Sequence, residues 1–115
     1  MTTTLEINVK QENNYAIVSI SGDVDLYSSP KVRDKIINLT SQKKSIIIMN
    51  LHDVSYMDSS GVATMVEGLQ LTEKYKGKFY LCGLNSMVRE VFELSRLDTV
   101  FDIYENIDTV KNQLP

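Results

Sequence analysis

The sequence predicts an α/β fold built on a mixed, mostly parallel β-sheet. Strand and helix patterns alternate along the chain, which is typical of parallel strands joined by helical crossovers. The run Ser45–Leu51 is the most apolar in the sequence, with isoleucine on both faces, as in a strand covered on both sides. A short polar turn joins the first two strand patterns and predicts one antiparallel hairpin. We expect about four or five strands and about four helices in one domain spanning residues 1–115.

The first half of the chain shows a hairpin followed by a helix. Alternating apolar and polar residues predict strands over 5–10 and 15–21, joined by a turn at Glu12–Asn14. The sequence Ser28–Ser29–Pro30 predicts a helix start, with a hydroxyl at the N-cap and proline in the first turn. This helix is expected to end near Ser41, just before the buried strand.

The second half continues the alternation. A helix begins after Asp58, because apolar residues from Val62 to Leu69 recur at helical spacing, and Gly77 is the predicted C′ residue that ends it. The remaining predicted elements are a short strand at 79–82, a helix capped by Asn85 or Ser86, a strand near 100–103 and a helix at 105–113.

Composition and charge argue against several classes of function. The net charge is −3 and the few lysine clusters flank predicted strands, which argues against a nucleic-acid surface. No apolar segment is long enough to span a membrane, so we expect a cytoplasmic protein with no membrane partner. One cysteine and one histidine do not suffice for a structural zinc site, and we expect neither metal nor cofactor. We favour a monomer.

Two turns rich in acids and hydroxyls follow predicted strands. Gly22–Asp25 follows the second strand, and Met57–Gly61 lies between the buried strand and the next helix. If the two strands are parallel, both turns lie at the same end of the sheet, where sites in open α/β sheets form. Asp58 and the serines after it are ordinary N-cap residues, which is the simplest interpretation of the second turn. Two adjacent hydroxyls exceed what a cap needs, however, and a glycine in the first turn costs about 0.5–1 kcal/mol relative to alanine.

This layout resembles the STAS domain family, the fold of bacterial anti-sigma factor antagonists. The resemblance covers nearly the whole chain and rests on Gly22–Asp25, on the strand Ile46–Leu51 and on Val54–Gly61, which is very similar to the signature turn of the family. One position departs from the usual pattern, because Val62–Ala63 follows Gly61 where the family often has Leu-Gly. A small residue is still present at the third place.

The resemblance implies a binding switch and not an enzyme. In the family, the unmodified protein binds an anti-sigma factor that is also a serine kinase, and this binding frees the sigma factor. The kinase phosphorylates the serine directly after the motif aspartate, which is Ser59 here, and a serine phosphatase resets the switch. Ser60 is a second candidate acceptor, since the residues alone do not choose between the two hydroxyls.

The expected partner surface combines the turn Gly22–Ser28, the turn Tyr56–Ser60 and the first two turns of the helix that follows. The resemblance places Asp25 beside the phosphorylation site and in contact with the partner. Thr64 and Glu67 join the surface because they lie off the predicted apolar stripe of the helix. The full set of expected partner-binding residues is Asp23, Asp25, Tyr56, Asp58, Ser59, Ser60, Gly61, Thr64 and Glu67.

Three other functions were weighed against this switch. A phosphoaspartate receiver domain needs an acid pair after its first strand and a lysine near its last, whereas the acids here follow the second strand and the segment 97–101 has no lysine. A serine hydrolase needs a base beside its nucleophile, and His52 is the only histidine, with no Gly-x-Ser-x-Gly turn around either serine. A STAS module could also serve a kinase outside sigma-factor control, in a stress complex or a chemotaxis-like pathway. The residues leave that alternative open.

Overall fold

Five strands and four helices alternate along residues 5–114, the part of the chain that the computed structural model describes. The strands are β1 (Glu6–Gln11), β2 (Tyr15–Val24), β3 (Ile46–Met57), β4 (Lys78–Cys82) and β5 (Asp102–Tyr104). The helices are α1 (Ser29–Ser41), α2 (Ser59–Lys74), α3 (Ser86–Leu94) and α4 (Ile107–Asn112). The predicted order of elements is confirmed, and the last strand and helix begin two residues later than their patterns indicated.

The strands form one sheet in sequential order, β1-β2-β3-β4-β5. β1 pairs with β2 in antiparallel fashion, as the hairpin pattern predicted, and every other neighbouring pair is parallel. Because β2 and β3 are parallel neighbours, their carboxyl ends lie side by side at one edge of the sheet. The two turns that the sequence singled out therefore follow adjacent strand ends.

The central strand β3 is covered on both faces. One core cluster lies between the sheet and helices α1, α2 and α3, and it includes Ile47, Met49 and Leu51. A second, smaller cluster joins Ile46 and Ile48 to Val110 of α4 on the opposite face. Full burial of each large aliphatic side chain contributes about 1.5–3 kcal/mol, so this double coverage explains the unbroken apolar run of β3.

β2 and β3 run further than their sequence patterns predicted. The alternation is interrupted at Gly22, which has φ 112°, and register shifts lie between Ser19 and Ser21 and between Gly22 and Asp23. These irregularities look like a turn in the sequence, but strand pairing resumes beyond them up to Val24 and Met57. Both of these last residues are buried, so packing against the core continues the strands where local propensity suggested that they stop.

The end of α2 also differs from its prediction. The C′ residue is Lys76, with φ 64°, and not Gly77. The Lys76 N–H donates to the Glu73 carbonyl at 3.1 Å and the Gly77 N–H donates to the Thr72 carbonyl at 2.8 Å, which is a Schellman ending shifted by one residue. Gly77 is required for another reason, because a Cβ there would lie 2.6 Å from the Tyr75 ring.

Lys76→Gly is expected to raise the free energy of unfolding by about 0.5–1 kcal/mol. Glycine avoids the ~1–2 kcal/mol penalty of the left-handed conformation, and the greater freedom of the unfolded chain offsets part of that difference. Urea unfolding measures the change. The converse variant Gly83→Ala is the control: Gly83 has φ 78°, and its added Cβ would lie 2.9 Å from the His52 backbone nitrogen, so it should be destabilised. A lower stability of Lys76→Gly would contradict the C′ assignment.

Candidate functional site

The candidate site lies where the carboxyl ends of β2 and β3 meet. Val24 and Met57 are partners in the strand register, and the Asp58 N–H donates to the Val24 carbonyl at 3.2 Å. The loop that leads from β2 to α1 and the turn that leads from β3 to α2 are thus in direct contact. The prediction that both turns share one end of the sheet is confirmed.

The carboxylate of Asp58 binds both segments. Asp58 is the N-cap of α2, and its Oδ1 accepts hydrogen bonds from the Ser60 N–H at 2.9 Å and the Gly61 N–H at 3.3 Å. Its Oδ2 accepts a hydrogen bond from the Leu26 N–H, 3.2 Å away in the β2–α1 loop. The first oxygen performs the capping that the sequence predicted, and the second holds the neighbouring loop against the turn.

These hydrogen bonds keep Asp58 ionised. Burial acts to raise its pKa, but the hydrogen bonds from the Ser60 hydroxyl and from the backbone N–H groups outweigh it, and the pKa is lowered from its usual value. Because the folded-state pKa is depressed, the carboxylate stabilises the turn above the ordinary pKa of aspartate. That stabilisation is lost as the pH falls through the lowered pKa.

The two serines of the turn have different surroundings. Ser60 is half-buried, and its hydroxyl donates a short hydrogen bond to the Asp58 Oδ1. Ser59 is the first residue of α2 and is exposed, and its hydroxyl makes no hydrogen bond with any residue in the range 5–114. One hydroxyl therefore belongs to the cap, while the other faces solvent beside it.

The β2–α1 loop is ordered by its own side chains. The Asp25 Oδ1 accepts hydrogen bonds from the Tyr27 N–H at 2.9 Å and the Ser28 N–H at 3.0 Å. The Ser28 hydroxyl donates to the Asp23 carbonyl at 2.7 Å and accepts from the Asp25 N–H at 2.9 Å. Ser28 does stand at the N-cap position of α1, but its side chain bonds back into the loop and does not cap the helix. Asp25 is thus the residue around which this loop folds.

Gly61 is required by close packing. A Cβ at this position would lie 2.5 Å from the Met57 Cγ and 3.0 Å from the carbonyl oxygen of Val24. The first turn of α2 therefore rests directly on the ends of β2 and β3. A helix cap alone does not require a glycine in the first turn, and this close approach of the helix to the sheet explains why one is present.

Two predicted surface residues of α2 are engaged inside the molecule. Thr64 is buried, with 7% of its surface exposed, and its hydroxyl donates to the Ser60 carbonyl at 2.9 Å, so the prediction that it lies off the apolar stripe is wrong. Glu67 is half-buried and binds Arg33 of α1 through two hydrogen bonds of 2.7 and 2.8 Å. The hydrogen bonds from Arg33 lower the pKa of Glu67. The position of Glu67 follows from the packing of α1 against α2, which brings Arg33 within reach.

The sequence analysis did not single out apolar exposure near the site, although Leu26 and Tyr27 lie in the predicted Gly22–Ser28 turn and Tyr56 was an expected partner residue. Leu26 and Tyr27 are exposed in the β2–α1 loop, and Tyr56, which pairs with Asp23 across the strands, is 45% exposed. The only signal in the sequence is that large apolar residues interrupt a turn of aspartates and serines. Ser59 also lines a groove of about 620 Å³ between α2 and α3. Its apolar lining comes from Val62, Ala63, Val66, Val91 and Leu97.

The described residues offer little for metal or nucleophilic chemistry. Within residues 5–114 no group of three His, Cys, Asp or Glu side chains is placed to hold a metal ion. The imidazole Nδ1 of His52 lies 3.0 Å from the Asp53 carboxylate, and the Ser60 hydroxyl donates its hydrogen bond to the Asp58 carboxylate and not to a histidine. Cys82 is buried, which raises the pKa of its thiol to about 11. None of the described helices is long and apolar enough to cross a membrane.

Comparison with known sequences identifies the family. The STAS domain model matches residues 6–110. The chain belongs to the STAS domain family. A relative in Bacillus subtilis, the anti-sigma-B factor antagonist, is 34% identical over 99 residues, which cover 86% of this chain and 90% of that protein. The anti-sigma-B factor antagonist of Staphylococcus aureus is 24% identical over 104 residues, with 90% and 96% covered.

Solved structures share the fold. An anti-sigma factor antagonist from Mycobacterium paratuberculosis superposes with a TM-score of 0.87 at 20% identity, covering 95% of this chain and 92% of that one. The Bacillus cell fate determinant SpoIIAA, solved in its phosphorylated form, has a TM-score of 0.76 at 21% identity, with 96% and 100% covered. The predicted STAS fold, a mixed sheet with one antiparallel pair, is confirmed.

Gly61→Ala is expected to lower the free energy of unfolding by about 1–3 kcal/mol. The added methyl overlaps Met57 and the Val24 carbonyl, and this overpacking exceeds the roughly 1 kcal/mol that alanine contributes in a helix. Urea unfolding measures the loss. Gln70→Ala on the exposed side of α2 is the control and should change stability by less than about 0.5 kcal/mol. A Gly61→Ala variant as stable as the control would contradict the close packing.

Proposed function

We propose that this STAS protein is an anti-sigma factor antagonist switched by phosphorylation of Ser59. In its unmodified form it binds an anti-sigma factor that is also a serine kinase, and so releases the sigma factor. The observation that carries the proposal is the exposed Ser59 hydroxyl, without a hydrogen-bond partner in residues 5–114, at the first position of α2. The names of the sequence relatives, which are anti-sigma-B factor antagonists, support the choice of partner.

The surroundings of the two serines favour Ser59 over Ser60 as the acceptor. A kinase must reach the hydroxyl and replace its proton, and the Ser60 hydroxyl would first have to leave the Asp58 carboxylate. That exchange breaks a hydrogen bond to a charged group, which typically contributes about 1.5–3 kcal/mol. The Ser59 hydroxyl has no such bond to lose within the described residues.

The cost of the phosphate falls on the interface and not on the fold. Phosphorylation adds about −1.5 to −2 charges at pH 7. The helix macrodipole favours an anion at this position, but Asp58 already accepts the Ser60 and Gly61 N–H groups, so the phosphate would remain in solvent. Together with Asp58 it forms a strongly acidic surface that a partner would have to desolvate. A loss of about 3 kcal/mol weakens affinity more than a hundredfold.

The phosphorylated protein releases its partner. A serine phosphatase then removes the phosphate, which makes the switch reversible. The proposed role is regulatory and cytoplasmic, with no catalytic step carried out by this chain. Its partner-binding face comprises the β2–α1 loop, the Tyr56–Ser60 turn and the exposed part of the first turns of α2. Thr64, being buried, supports this face from below and does not contact the partner.

Phosphopeptide mass spectrometry with the anti-sigma factor kinase of the same organism and ATP tests the switch. We expect phosphate on Ser59 in the native chain and in Ser60→Ala, and none in Ser59→Ala. Ser59→Asp should bind the kinase at least a hundredfold more weakly, whereas Ser59→Ala should bind like the native chain and stay bound when ATP is added. Phosphate on Ser60 alone, or on neither serine, would reject the assignment.

Asp25→Ala and Asp25→Asn together distinguish two roles of the Asp25 carboxylate, its charge toward the partner and its hydrogen bonds within the loop. Asparagine keeps an oxygen for the Tyr27 and Ser28 N–H groups, and alanine removes it. If the carboxylate contacts the partner, both variants should weaken kinase binding about tenfold, with Asp25→Asn melting within a few degrees of the native protein. Alanine should cost about 1 kcal/mol of stability. Native affinity in Asp25→Asn would leave Asp25 with a structural role alone.

A further inference from the structure

Leu26 and Tyr27 are unusually exposed for large apolar residues in an ordered loop. Tyr27 is 88% exposed and Leu26 is 65% exposed. Their backbone N–H groups are nevertheless held by carboxylates, because the Tyr27 N–H donates to Asp25 and the Leu26 N–H donates to Asp58. The loop therefore presents two apolar side chains to solvent on a fixed backbone.

Such an arrangement is what a binding anchor requires. Exposure of these side chains has no benefit to folding, since burial of apolar surface is the favourable direction. A fixed backbone lowers the entropy lost on association, and tyrosine is among the residues most enriched at the centres of protein interfaces. The geometry thus combines a large contact area with little ordering cost.

The anchors lie directly beside the proposed phosphorylation site. The Asp58 Oδ2 binds the Leu26 N–H, and Ser59 is the next residue in the chain. Tyr56, also exposed, precedes Asp58 by two positions. The other large hydrophobic side chains that are exposed in residues 5–114 are Met87, Leu94 and Val100, on α3 and the segment after it.

We propose that Leu26 and Tyr27 are the apolar anchors of the interface with the kinase that reads Ser59. Asp58 is a positioning residue that binds the Leu26 N–H and so holds the loop with both anchors next to the acceptor serine. The occupant of this surface is an apolar pocket on the anti-sigma factor, adjacent to the part that receives the Ser59 hydroxyl. The inference rests on the proposed function, because the two anchors and Ser59 belong to one continuous surface.

The anchors explain how a single phosphate can cause the whole partner protein to dissociate. Pairing of the β2–α1 loop with the turn makes the apolar contact and the serine contact parts of a single rigid surface. A partner pocket that closes over Leu26 and Tyr27 must also bring its own groups against Ser59. A dianion at Ser59 then prevents the anchors from seating, although it does not touch them.

Affinity measurements with the purified kinase test the anchors. We expect Tyr27→Ser and Leu26→Ser each to weaken binding by about 30-fold or more, the loss that marks an interface hot spot. Leu94→Ser on α3 is the matched control, because Leu94 is 78% exposed and lies outside this surface, and it should bind within twofold of the native chain. All three variants should melt like the native protein, since none of the side chains is buried.

Asp58→Asn tests the positioning role. Its carbonyl oxygen can still cap α2 through the Ser60 and Gly61 N–H groups, but its NH₂ group cannot accept from Leu26. Hydrogen exchange should show a less protected Leu26 amide and retained protection in the first turn of α2. Affinity for the kinase should fall by about tenfold. Unchanged protection of the Leu26 amide together with native affinity would overturn this part of the inference.

The outcomes separate this inference from the function on which it rests. If Ser59→Asp abolishes binding while Tyr27→Ser and Leu26→Ser bind like the native chain, the anchors are rejected and the switch stands. If Leu94→Ser weakens binding as much as the anchor variants, the surface is not specific and the inference is again rejected. If the native chain neither binds the kinase nor is phosphorylated by it, the proposed function is rejected, and the anchors with it.

Discussion

The site depends on the carboxylate of Asp58, which is shared between two segments that are distant in sequence. One oxygen caps α2 and the other fixes the β2–α1 loop, 32 residues away in the chain. The arrangement requires β2 and β3 to be parallel neighbours whose pairing ends together at Val24 and Met57, because only then do their carboxyl ends bring the two segments together. Gly61 allows the capped helix to rest on those same strand ends. Sheet topology, helix cap and loop order are therefore coupled through one side chain.

Local patterns in the sequence were sufficient for most of the fold. The hairpin, the buried strand β3 and the helix starts at Pro30 and Asp58 follow from periodicity, turn chemistry and capping, which act over a few residues. The extension of β2 through Asp23 could not be predicted in this way. A glycine followed by an acid has the chemistry of a turn, and strand pairing there is imposed by β3 and by burial of Val24.

In the candidate site, too, the roles that depend on neighbouring residues could be predicted, and those that depend on distant ones could not. Asp58 could be inferred as a cap because that role is local. A need for close backbone approach at Gly61 could be inferred as well, but its contact with Val24 could not, because β2 is distant in sequence. The sequence did not distinguish Ser59 from Ser60, since the difference lies in which hydroxyl the Asp58 carboxylate accepts. Glu67 was described incompletely because helical periodicity does not show that α1 supplies Arg33. Thr64 was placed incorrectly because a threonine can be buried when its hydroxyl donates to a carbonyl of its own helix.

The separation between fixed and free groups explains how such a site can be modified without cost to its fold. Asp58, Ser60 and Gly61 are engaged in capping and packing, so a change at any of them would disturb the turn. Ser59 stands among them but outside their contacts, on a helix end whose dipole tolerates an added anion. In the proposed switch, a phosphate on Ser59 would leave the folded state in place and would change only the charge of the surface. Under the proposed function, that change of charge is sufficient to release the partner, and removal of the phosphate would restore the original surface.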